Sequence, residues 1–418
     1  MSLTRTTSRP PTWVAGLLLA GVAAVVLPAR AETSPYWLGA SLALTHDSNL
    51  DRAPAGLPGQ PIRSDTDLAT GLRLGLDQPF GRQRVQASAE LNHHQYRRYG
   101  QYDHDDHLLQ TRLDWSSAEL WSGNVQAETR QLLDRTDVNA STTLAGRSLV
   151  RSDRLGTTVR LGGPTRYTFD AGLSGAQLRY DTVTSRNVRQ LTGSGGVTVR
   201  PGNGLRLRAG LRHTRADYPN YSVAGVSGDR VGRDDADFST VVEASGASTL
   251  NARLSRTRES HSAQLGRDYS AWTGSAGWTW KPSARLAFDT TLSRDSNVGS
   301  TAFESTTFSY DTSDTRLRTS LALRASWELT SKIVLTGGTS LSRRTLDNAL
   351  TTGGGTAVTT ASDRTVGWDL AVRYLPVRNV ELACGLSRES RGVSDPNVTI
   401  TYAYAVTVAS CSGQLFWR

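Results

Sequence analysis

Methionine, cysteine and lysine are scarce in this 418-residue chain, which has one methionine, two cysteines and two lysines, Lys281 and Lys332. Hydrophobic residues make up only 37% and aromatic residues 7%. Beyond residue 31 the chain also lacks any apolar run near the ~18 residues that a membrane-spanning helix needs. Few segments combine helix formers with a 3.6-residue apolar period, which argues against a helical soluble enzyme.

A concentrated patch of basic residues is lacking too. After residue 31 the chain carries 44 basic and 38 acidic residues, spread along its whole length. A nucleic-acid-binding protein would gather its positive charge on one segment or face and would add a recognition motif. The charge pattern therefore predicts no nucleic-acid partner.

The N-terminal residues have the three parts of a secretory signal peptide. Arg5 and Arg9 supply the positive start, residues 13–27 form an apolar run, and Ala29-Arg30-Ala31 is an A-x-A cleavage site. A retained membrane anchor is the alternative, but the apolar run is short for a span. We predict a cleaved signal peptide over residues 1–31 and an exported mature chain over residues 32–418.

Strict alternation of apolar and polar residues is the clearest pattern in the mature chain. From Leu317 to Leu329 every odd position belongs to a mainly apolar face and every even position to a mainly polar one. A period of two over so many residues indicates a strand longer than most soluble strands. Residues 109–115, 205–212 and 366–374 repeat the pattern, and an aromatic residue near one end fits an apolar outer band with aromatic girdles.

Connections between these segments alternate between short and long. The short ones are rich in Gly, Pro or Asn and fall at 78–83, 162–165, 201–204, 281–283 and 376–379. Longer polar stretches fall at 47–65, 135–147, 219–233, 297–313 and 347–363. This rhythm is typical of outer-membrane barrels. We predict an all-β fold, a transmembrane antiparallel up-and-down β-barrel of about 18 strands (16–18), in the cell outer membrane with both termini periplasmic.

Short segments in the first quarter of the mature chain carry a family resemblance. They are His46–Arg52 (HDSNLDR), Ser64–Asp65, Gly71–Arg73 (GLR), Phe80–Gln83 (FGRQ), Tyr96–Tyr99 (YRRY) and Leu113–Trp115 (LDW). They resemble the β-barrel porin family of proteobacterial exopolysaccharide gene clusters, in particular its EpsL-type outer-membrane proteins. The resemblance implies a role in moving or securing an exopolysaccharide at the outer membrane, with a periplasmic polysaccharide-export protein as partner. One departure is the end Phe416-Trp417-Arg418, since most outer-membrane barrels end on the aromatic residue itself.

Charged residues on the polar faces of the predicted strands are the candidate functional residues. Inside a barrel they would line the lumen, where rings of charge set selectivity. The arginine fork suits carboxylates and phosphates, so an acidic polysaccharide is one natural ligand. Mutual pairing of arginines with the interleaved acids is the other interpretation, and it needs no ligand. The candidates are Arg73, Arg112, Arg130, Arg160, Arg206, Arg208, Arg212, Arg318, Arg324, Arg373, Asp114, Glu128, Glu328 and Asp369.

One pair of residues resembles a catalytic site. His46 and Ser48 would share a strand face, so the imidazole could activate the hydroxyl as in an outer-membrane lipid hydrolase. An oxyanion site and an orienting asparagine partner cannot be located in the sequence. We therefore predict that the protein is not an enzyme and keep the hydrolase as an alternative.

Histidines and aspartates crowd residues 93–107, which the alternation places at the tip of the second hairpin. His104 and His107 with the neighbouring carboxylates would be plausible zinc ligands, but a closed four-ligand spacing is missing. We predict a solvated, charge-balanced loop, no metal and no cofactor. Tyrosines of the predicted loops could stack on sugar rings; they are Tyr96, Tyr99, Tyr102, Tyr218, Tyr221 and Tyr269.

Cys384 and Cys411 fall on the predicted last two strands, in an exported chain where thiols can be oxidised. A hairpin that turns next to Asp395-Pro396-Asn397 would place them directly opposite each other on the outer face. A disulfide between them is then feasible at a non-hydrogen-bonded pair, and two free residues facing lipid are the alternative.

The predicted function is a porin-like outer-membrane barrel that acts as a conduit or anchor for exopolysaccharide export. A lipid hydrolase that uses His46 and Ser48 is one alternative. A general diffusion porin, or a structural barrel that binds surface glycan, is another. The predicted partners are outer-membrane lipid including lipopolysaccharide, a polysaccharide that would be acidic, and the periplasmic export protein.

Overall fold

The computed structural model of this chain describes residues 34–54, 61–117, 120–134, 147–163, 165–223, 226–263, 268–296, 315–352, 355–394 and 401–417. The predicted signal peptide, the turn at 395–397 and the C-terminal arginine lie outside these residues. In the described ranges, no helix has both the length and the apolar character to cross a membrane.

Eighteen strands make up almost all of the described chain. They are β1 Tyr36–Asp47, β2 Asp65–Phe80, β3 Gln83–Tyr96, β4 His104–Ser116, β5 Trp121–Leu133, β6 Leu149–Leu161, β7 Tyr167–Tyr180, β8 Val188–Gly202, β9 Leu205–Val223, β10 Val226–Ser245, β11 Ser248–His261, β12 Tyr269–Ser283, β13 Leu286–Asp295, β14 Thr315–Glu328, β15 Ile333–Thr352, β16 Gly355–Val377, β17 Val380–Val393 and β18 Tyr404–Trp417. Two single-turn 3₁₀ helices, Gly100–Tyr102 and Thr184–Arg186, lie in connections.

The sheet closes on itself. Each strand pairs antiparallel with the next one along the chain, and β1 pairs with both β2 and β18. Leu38 lies opposite Trp417 and Asp47 opposite Val408 across the closing seam. Closure satisfies the backbone groups of both would-be edge strands, which an open sheet would expose. The prediction of an up-and-down barrel of about 18 strands is confirmed.

The two ends of the barrel differ in their connections. At one end, called here the turn end, the connections are 81–82, 117–120, 162–166, 203–204, 246–247, 284–285, 329–332 and 378–379. Both ends of the described chain lie there too, because β1 begins and β18 ends at that end. The opposite end, called here the loop end, carries the longer connections, including 48–64, 134–148 and 296–314.

The prediction of long loops was wrong for two of the five polar stretches. Residues 219–233 and 347–363 belong mostly to strands, because β9 runs to Val223, β10 begins at Val226, β15 runs to Thr352 and β16 begins at Gly355. Their polar sequences continue the strand pairing beyond the rest of the wall as two long hairpins. A polar stretch indicates contact with water, and a strand above the barrel wall meets water on both faces.

Large apolar side chains cover the outer face of the barrel. Leu211 is 70% exposed, and leucines recur on the same face of most strands, as in the exposed Leu72 and Leu74 of β2 and Leu321 and Leu323 of β14. Exposed aromatic residues gather on the outer face close to the turn end; they are Tyr36, Phe80, Trp121, Tyr167, Phe169, Trp278, Trp280, Trp327, Tyr374 and Trp417.

The inner face is polar and becomes more buried towards the loop end. On β2, Asp65 and Asp67 are buried, whereas Arg73 and Asp77 nearer the turn end are only partly covered. On β11, Ser255 and Thr257 are fully buried. Thr257 shares a hydrogen bond of 2.7 Å with Thr273, and the buried Arg233 reaches Asp295 at 2.8 Å, three strands away. The interior is therefore more tightly packed at the loop end than at the turn end.

Candidate ligand-binding wall of the lumen

The fourteen charged candidates from the sequence all lie on strand faces opposite the exposed apolar residues. Register shows this directly: Arg112 is opposite Gln86 and Gln126, whereas its chain neighbour Leu113 is opposite Val85 and Val125. Because opposite residues share a face of the sheet, the charged residues point into the barrel. The polar faces predicted by alternation thus form the inner wall.

Six of the ten candidate arginines are paired with acids on the wall. Arg208 makes a two-pronged contact with Asp170 at 2.9 and 2.6 Å, and Arg73 reaches Glu90 at 2.7 Å. The other paired arginines and their acids are Arg112 with Asp114, Arg206 with Glu243, Arg212 with Asp235 and Asp237, and Arg373 with Glu381. Mutual pairing therefore accounts for most, though not all, of the inward positive charge.

Three inward arginines have no acid at ion-pair distance within the described part of the chain. They are Arg130, Arg160 and Arg324, on β5, β6 and β14. An unpaired guanidinium keeps its five donors available, and its planar fork matches a carboxylate. These three arginines are the part of the wall best suited to hold an anionic ligand.

A recess of about 690 Å³ lies in the inner wall over β1 to β6. Its inward side chains combine an indole, amides, guanidinium groups and carboxylates; they include Trp37, Gln86, Gln110, Arg112, Gln126, Glu128, Arg130 and Arg154. We call this set the lumen recess. Its volume is within the range of small-molecule sites in proteins.

Hydrogen bonds hold most of the lumen recess in place while leaving Arg130 available. Gln110 donates to Glu128 at 2.9 Å, and Arg112 donates to Asp114 at 2.7 and 2.8 Å and to Gln126 at 3.4 Å. Amides, carboxylates and guanidinium groups are the donors and acceptors that sugar hydroxyls and uronic carboxylates need.

Trp37 forms the aromatic side of the lumen recess. Its ring meets Phe416 edge-on at 5.7 Å between centroids, across the seam where β1 closes against β18. A Cβ at Gly75 would overlap the indole, so this position has to be glycine for the ring to lie flat over β2. Trp37 is not among the candidates from the sequence, although its odd position places it on the polar face of β1.

Three of the six tyrosines suggested for sugar stacking, Tyr96, Tyr102 and Tyr221, are buried. Tyr96 and Tyr102 are buried with Leu50 and Leu133 in a small apolar cluster at the loop end, and Tyr221 is also buried. Tyr102 donates to Asp51 and is contacted by Arg63 at 3.3 Å. Burial and the Asp51 carboxylate together raise the pKa of Tyr102 to about 12. These rings pack the loop end instead of facing a ligand.

His104 and His107, weighed as zinc ligands, begin strand β4 and point to opposite faces because they are three residues apart. The structure instead brings His94, His104 and Asp106 together on the inner face. His94 reaches Asp67 at 2.7 Å and Asp106 at 3.0 Å, and its ring stacks on His104 with 5° between planes. Burial lowers the pKa of His94, but Asp106 and Asp67 outweigh it and raise it to about 9. His94 is thus held between two carboxylates, and the ligand atoms of His94, His104 and Asp106 lie within 4.8 Å of one another.

His46 and Ser48 bond to different strands. His46 is on the outer face and contacts Thr66 of β2 at 3.1 Å. The Ser48 hydroxyl instead accepts a hydrogen bond of 2.8 Å from the backbone N–H of Thr407 in β18. The imidazole is thus not positioned to take the serine proton, and these contacts do not favour the hydrolase alternative.

Cys384 and Cys411 are joined by a disulfide between β17 and β18. They are directly opposite in the register, with 4.1 Å between their Cα atoms. A short Cα separation belongs to non-hydrogen-bonded antiparallel pairs. Cys411 is also opposite Leu44 of β1, so the bond lies on the outer face beside the closing seam.

No known protein family and no curated protein matches this chain. Among solved structures, it is similar to OpdK of Pseudomonas aeruginosa, solved with vanillate, at 13% identity and a TM-score of 0.46, over 91% of this chain and 99% of that one. The siderophore receptor PirA from Acinetobacter baumannii is similar at 8% identity and a TM-score of 0.44, over 93% of this chain and 81% of that one. The FrpB iron transporter from Neisseria meningitidis is similar at 9% identity and a TM-score of 0.46, over 91% of this chain and 81% of that one. Likeness at this level carries no argument about function.

Proposed function

We propose that the chain is an outer-membrane β-barrel that provides a polar passage for an acidic polysaccharide. One observation carries the proposal: the closed wall is apolar outside and polar inside, with a recess whose lining includes an indole and an unpaired arginine. The EpsL-type resemblance in the sequence points to the same class of cargo. A periplasmic export protein at the turn end is the partner that this role requires.

The outer face supports a membrane location. Apolar side chains as exposed as Leu211 and Leu155 would each regain about 1.5–3 kcal/mol on leaving water. A closed barrel also leaves no unpaired edge, which is the condition for a β-protein to cross lipid. The girdle of exposed aromatic residues at the turn end matches the level of the membrane where lipid headgroups meet the acyl chains. With the predicted signal peptide, this indicates the outer membrane of a Gram-negative cell.

The inner face supports passage or binding of an anionic chain. A barrel of this strand number is wide enough for a lumen. The lumen recess offers the Trp37 ring on β1 for stacking on a sugar and, on β5, the unpaired guanidinium of Arg130 for a carboxylate of the same chain. Arg160 and Arg324 extend this positive lining around the wall. A diffusion porin would use the same lining without retaining a sugar chain, so retention distinguishes the two functions.

Planar-bilayer recording with an acidic oligosaccharide tests this proposal. The purified protein should conduct ions, and oligogalacturonate added on the turn-end side should block the current. Arg130→Gln and Trp37→Ala should each weaken the block about tenfold. The first removes the charged donor to a sugar carboxylate, and the second removes the ring on which a sugar stacks. Arg206→Gln is the matched control, because that arginine is also inward but is held by Glu243 at 3.0 Å.

Two outcomes of the bilayer recording would contradict the proposal. An unblocked current in the unsubstituted protein would leave a general diffusion porin, and silent bilayers would leave a structural barrel. In cells, deletion of the gene should lower surface polysaccharide while its synthesis continues, and normal surface polysaccharide would refute an export role.

A further inference from the structure

Six arginines form a group on the outer face of β11 to β17, just beyond the apolar band on the loop-end side. They are Arg256, Arg258, Arg294, Arg343, Arg364 and Arg388, and all are exposed. Four of them come two residues after an apolar residue on the same face, as Arg294 follows the exposed Leu292 and Arg388 follows Leu386. We call this group the arginine belt.

Among the residues that the structure describes, five of the six belt arginines have no acid opposite them on the outer face; the sixth, Arg258, lies opposite Asp234, whose carboxylate contacts His213 at 2.7 Å. Within the described residues none of the six forms an ion pair, and Arg256 only lies over the Trp272 ring at 5.7 Å. Arg343 and Arg364 are directly opposite each other in the β15–β16 register. Like charges in that position are destabilising unless an anion lies between them.

Outward charges on the neighbouring strands β6 to β10 are arranged differently. Arg151 and Arg179 contact Asp153 at 3.0 and 2.6 Å. His213 contacts Asp234 at 2.7 Å, and Arg230 contacts Asp217 at 2.9 Å. Strands β6 to β10 therefore neutralise their own outward charge, whereas among the six belt arginines on β11 to β17 only Arg258 has an acid opposite it in the described part of the chain. This contrast indicates an external anion specific to β11 to β17.

A shallow groove of about 500 Å³ adjoins the arginine belt at β8 to β11. Gly193, Gly195, Leu211 and Ala236 line its outer side together with the paired His213 and Asp234, and Arg256 and Arg258 bound it. The space above Gly193 is open, since a Cβ there would meet nothing within 4 Å. A groove of small and apolar residues under two guanidinium groups has room for a hydrocarbon chain attached to an anionic group.

We propose that the arginine belt binds the phosphate groups of a lipid A-type phosphoglycolipid in the outer leaflet. The inference rests on the proposed membrane location. Guanidinium groups take phosphate oxygens two at a time, and the height of the belt, directly above the apolar band, is where lipid phosphates lie. A free phosphate ion would not account for the adjoining apolar groove, whereas a lipid fills both.

Native mass spectrometry in detergent, with diphosphoryl lipid A as probe, tests the arginine belt. The unsubstituted protein should retain lipid A adducts. Arg343→Gln with Arg364→Gln should weaken binding about 25-fold, at about fivefold per arginine near a charged surface. Arg151→Gln with Arg179→Gln, which removes two outward arginines already neutralised by Asp153, should leave the binding unchanged.

The chemistry of the anion and the fold are checked in parallel. Phosphatidylethanolamine should not compete with lipid A, and inorganic phosphate at a large excess should not displace it. Both double variants should keep the gel mobility of the folded barrel before boiling. Equal lipid A binding by the two double variants would refute the belt. Recovery of the unsubstituted protein outside the outer membrane would instead refute the proposed location, so the two failures are distinguishable.

Discussion

Removing the Cys384–Cys411 disulfide should destabilise the barrel by a predictable amount. The bond closes a segment with a sequence separation of 27 residues. In the chain-entropy description, a closed loop of that size removes about 12 cal/mol/K from the unfolded ensemble, or about 3.5 kcal/mol at 25 °C. The bond also ties β17 to β18, and β18 forms the closing seam with β1. Its loss should therefore loosen the seam first.

Urea unfolding in detergent micelles, followed by tryptophan fluorescence, measures this effect. Cys384→Ala with Cys411→Ala should lower the free energy of unfolding by about 3.5 kcal/mol relative to the oxidised protein. The unsubstituted protein in reductant should coincide with the double variant, because both lack only the cross-link. Alkylation followed by mass spectrometry should find no free thiol before reduction.

The reasoning would be refuted by an oxidised protein that unfolds at the same urea concentration as the double variant. Two free thiols in the purified, oxidised protein would refute the bond itself. A change in the slope of the unfolding transition would indicate an altered unfolded ensemble, which is how the cross-link is expected to act.

Three further predictions concern charged groups. Asp363→Asn should lower the free energy of unfolding in urea by about 3–5 kcal/mol. The buried Arg344 now donates from Nε to the Asp363 carboxylate at 3.0 Å, and the substitution removes that negative charge. Burial lowers the pKa of His261, but Asp229 and Glu259 outweigh it, so the pKa is raised and the charged ring stabilises the loop end below about pH 6.5. The amide protection factors at residues 259–263, in which the base-catalysed intrinsic rate is divided out, should therefore fall as the pH rises above that value. Arg130→Glu, Arg160→Glu and Arg324→Glu together should turn anion preference in bilayers into cation preference.

Each of these three predictions has a control or a contradicting outcome. Arg84→Gln, at the exposed Asp77 pair, should not shift the urea midpoint, and a loss as large as that of Asp363→Asn would show that burial is not the cause. In His261→Gln the protection factors at 259–263 should no longer fall as the pH rises; if they still fall, another group titrates. Unchanged ion selectivity in the triple variant would mean that these arginines do not line the conducting path.

Strand number and side-chain faces could be predicted from the sequence because they depend on a local period of two. Arg112 and Leu113 point to opposite faces whatever their partners are. Pairing could not be predicted, because contacts such as Arg208 with Asp170 join strands that are two apart in the sheet. Such contacts depend on the register and stagger of several strands together, which no single segment encodes.

Residues near the loop end were the hardest to predict. Tyr102 reads as an exposed loop tyrosine, but its neighbours Leu50 and Leu133 come from segments about 50 and 30 residues away and bury it. The hairpin residues 347–352 read as a loop because their sequence is polar, although their backbone continues the ladder to Thr352. Polarity reports contact with water, and strands above a barrel wall meet water too.

Labelling of single cysteines on intact cells tests most directly whether the barrel spans the outer membrane with its loop end outside. In the Cys384→Ala, Cys411→Ala background, Gln101→Cys places a thiol in the exposed loop-end 3₁₀ helix, and Gly246→Cys places one in an open turn at the other end. A membrane-impermeant maleimide should label Gln101→Cys on intact cells and Gly246→Cys only after the outer membrane is opened. Equal labelling of both on intact cells, or labelling of Gly246→Cys alone, would contradict the account.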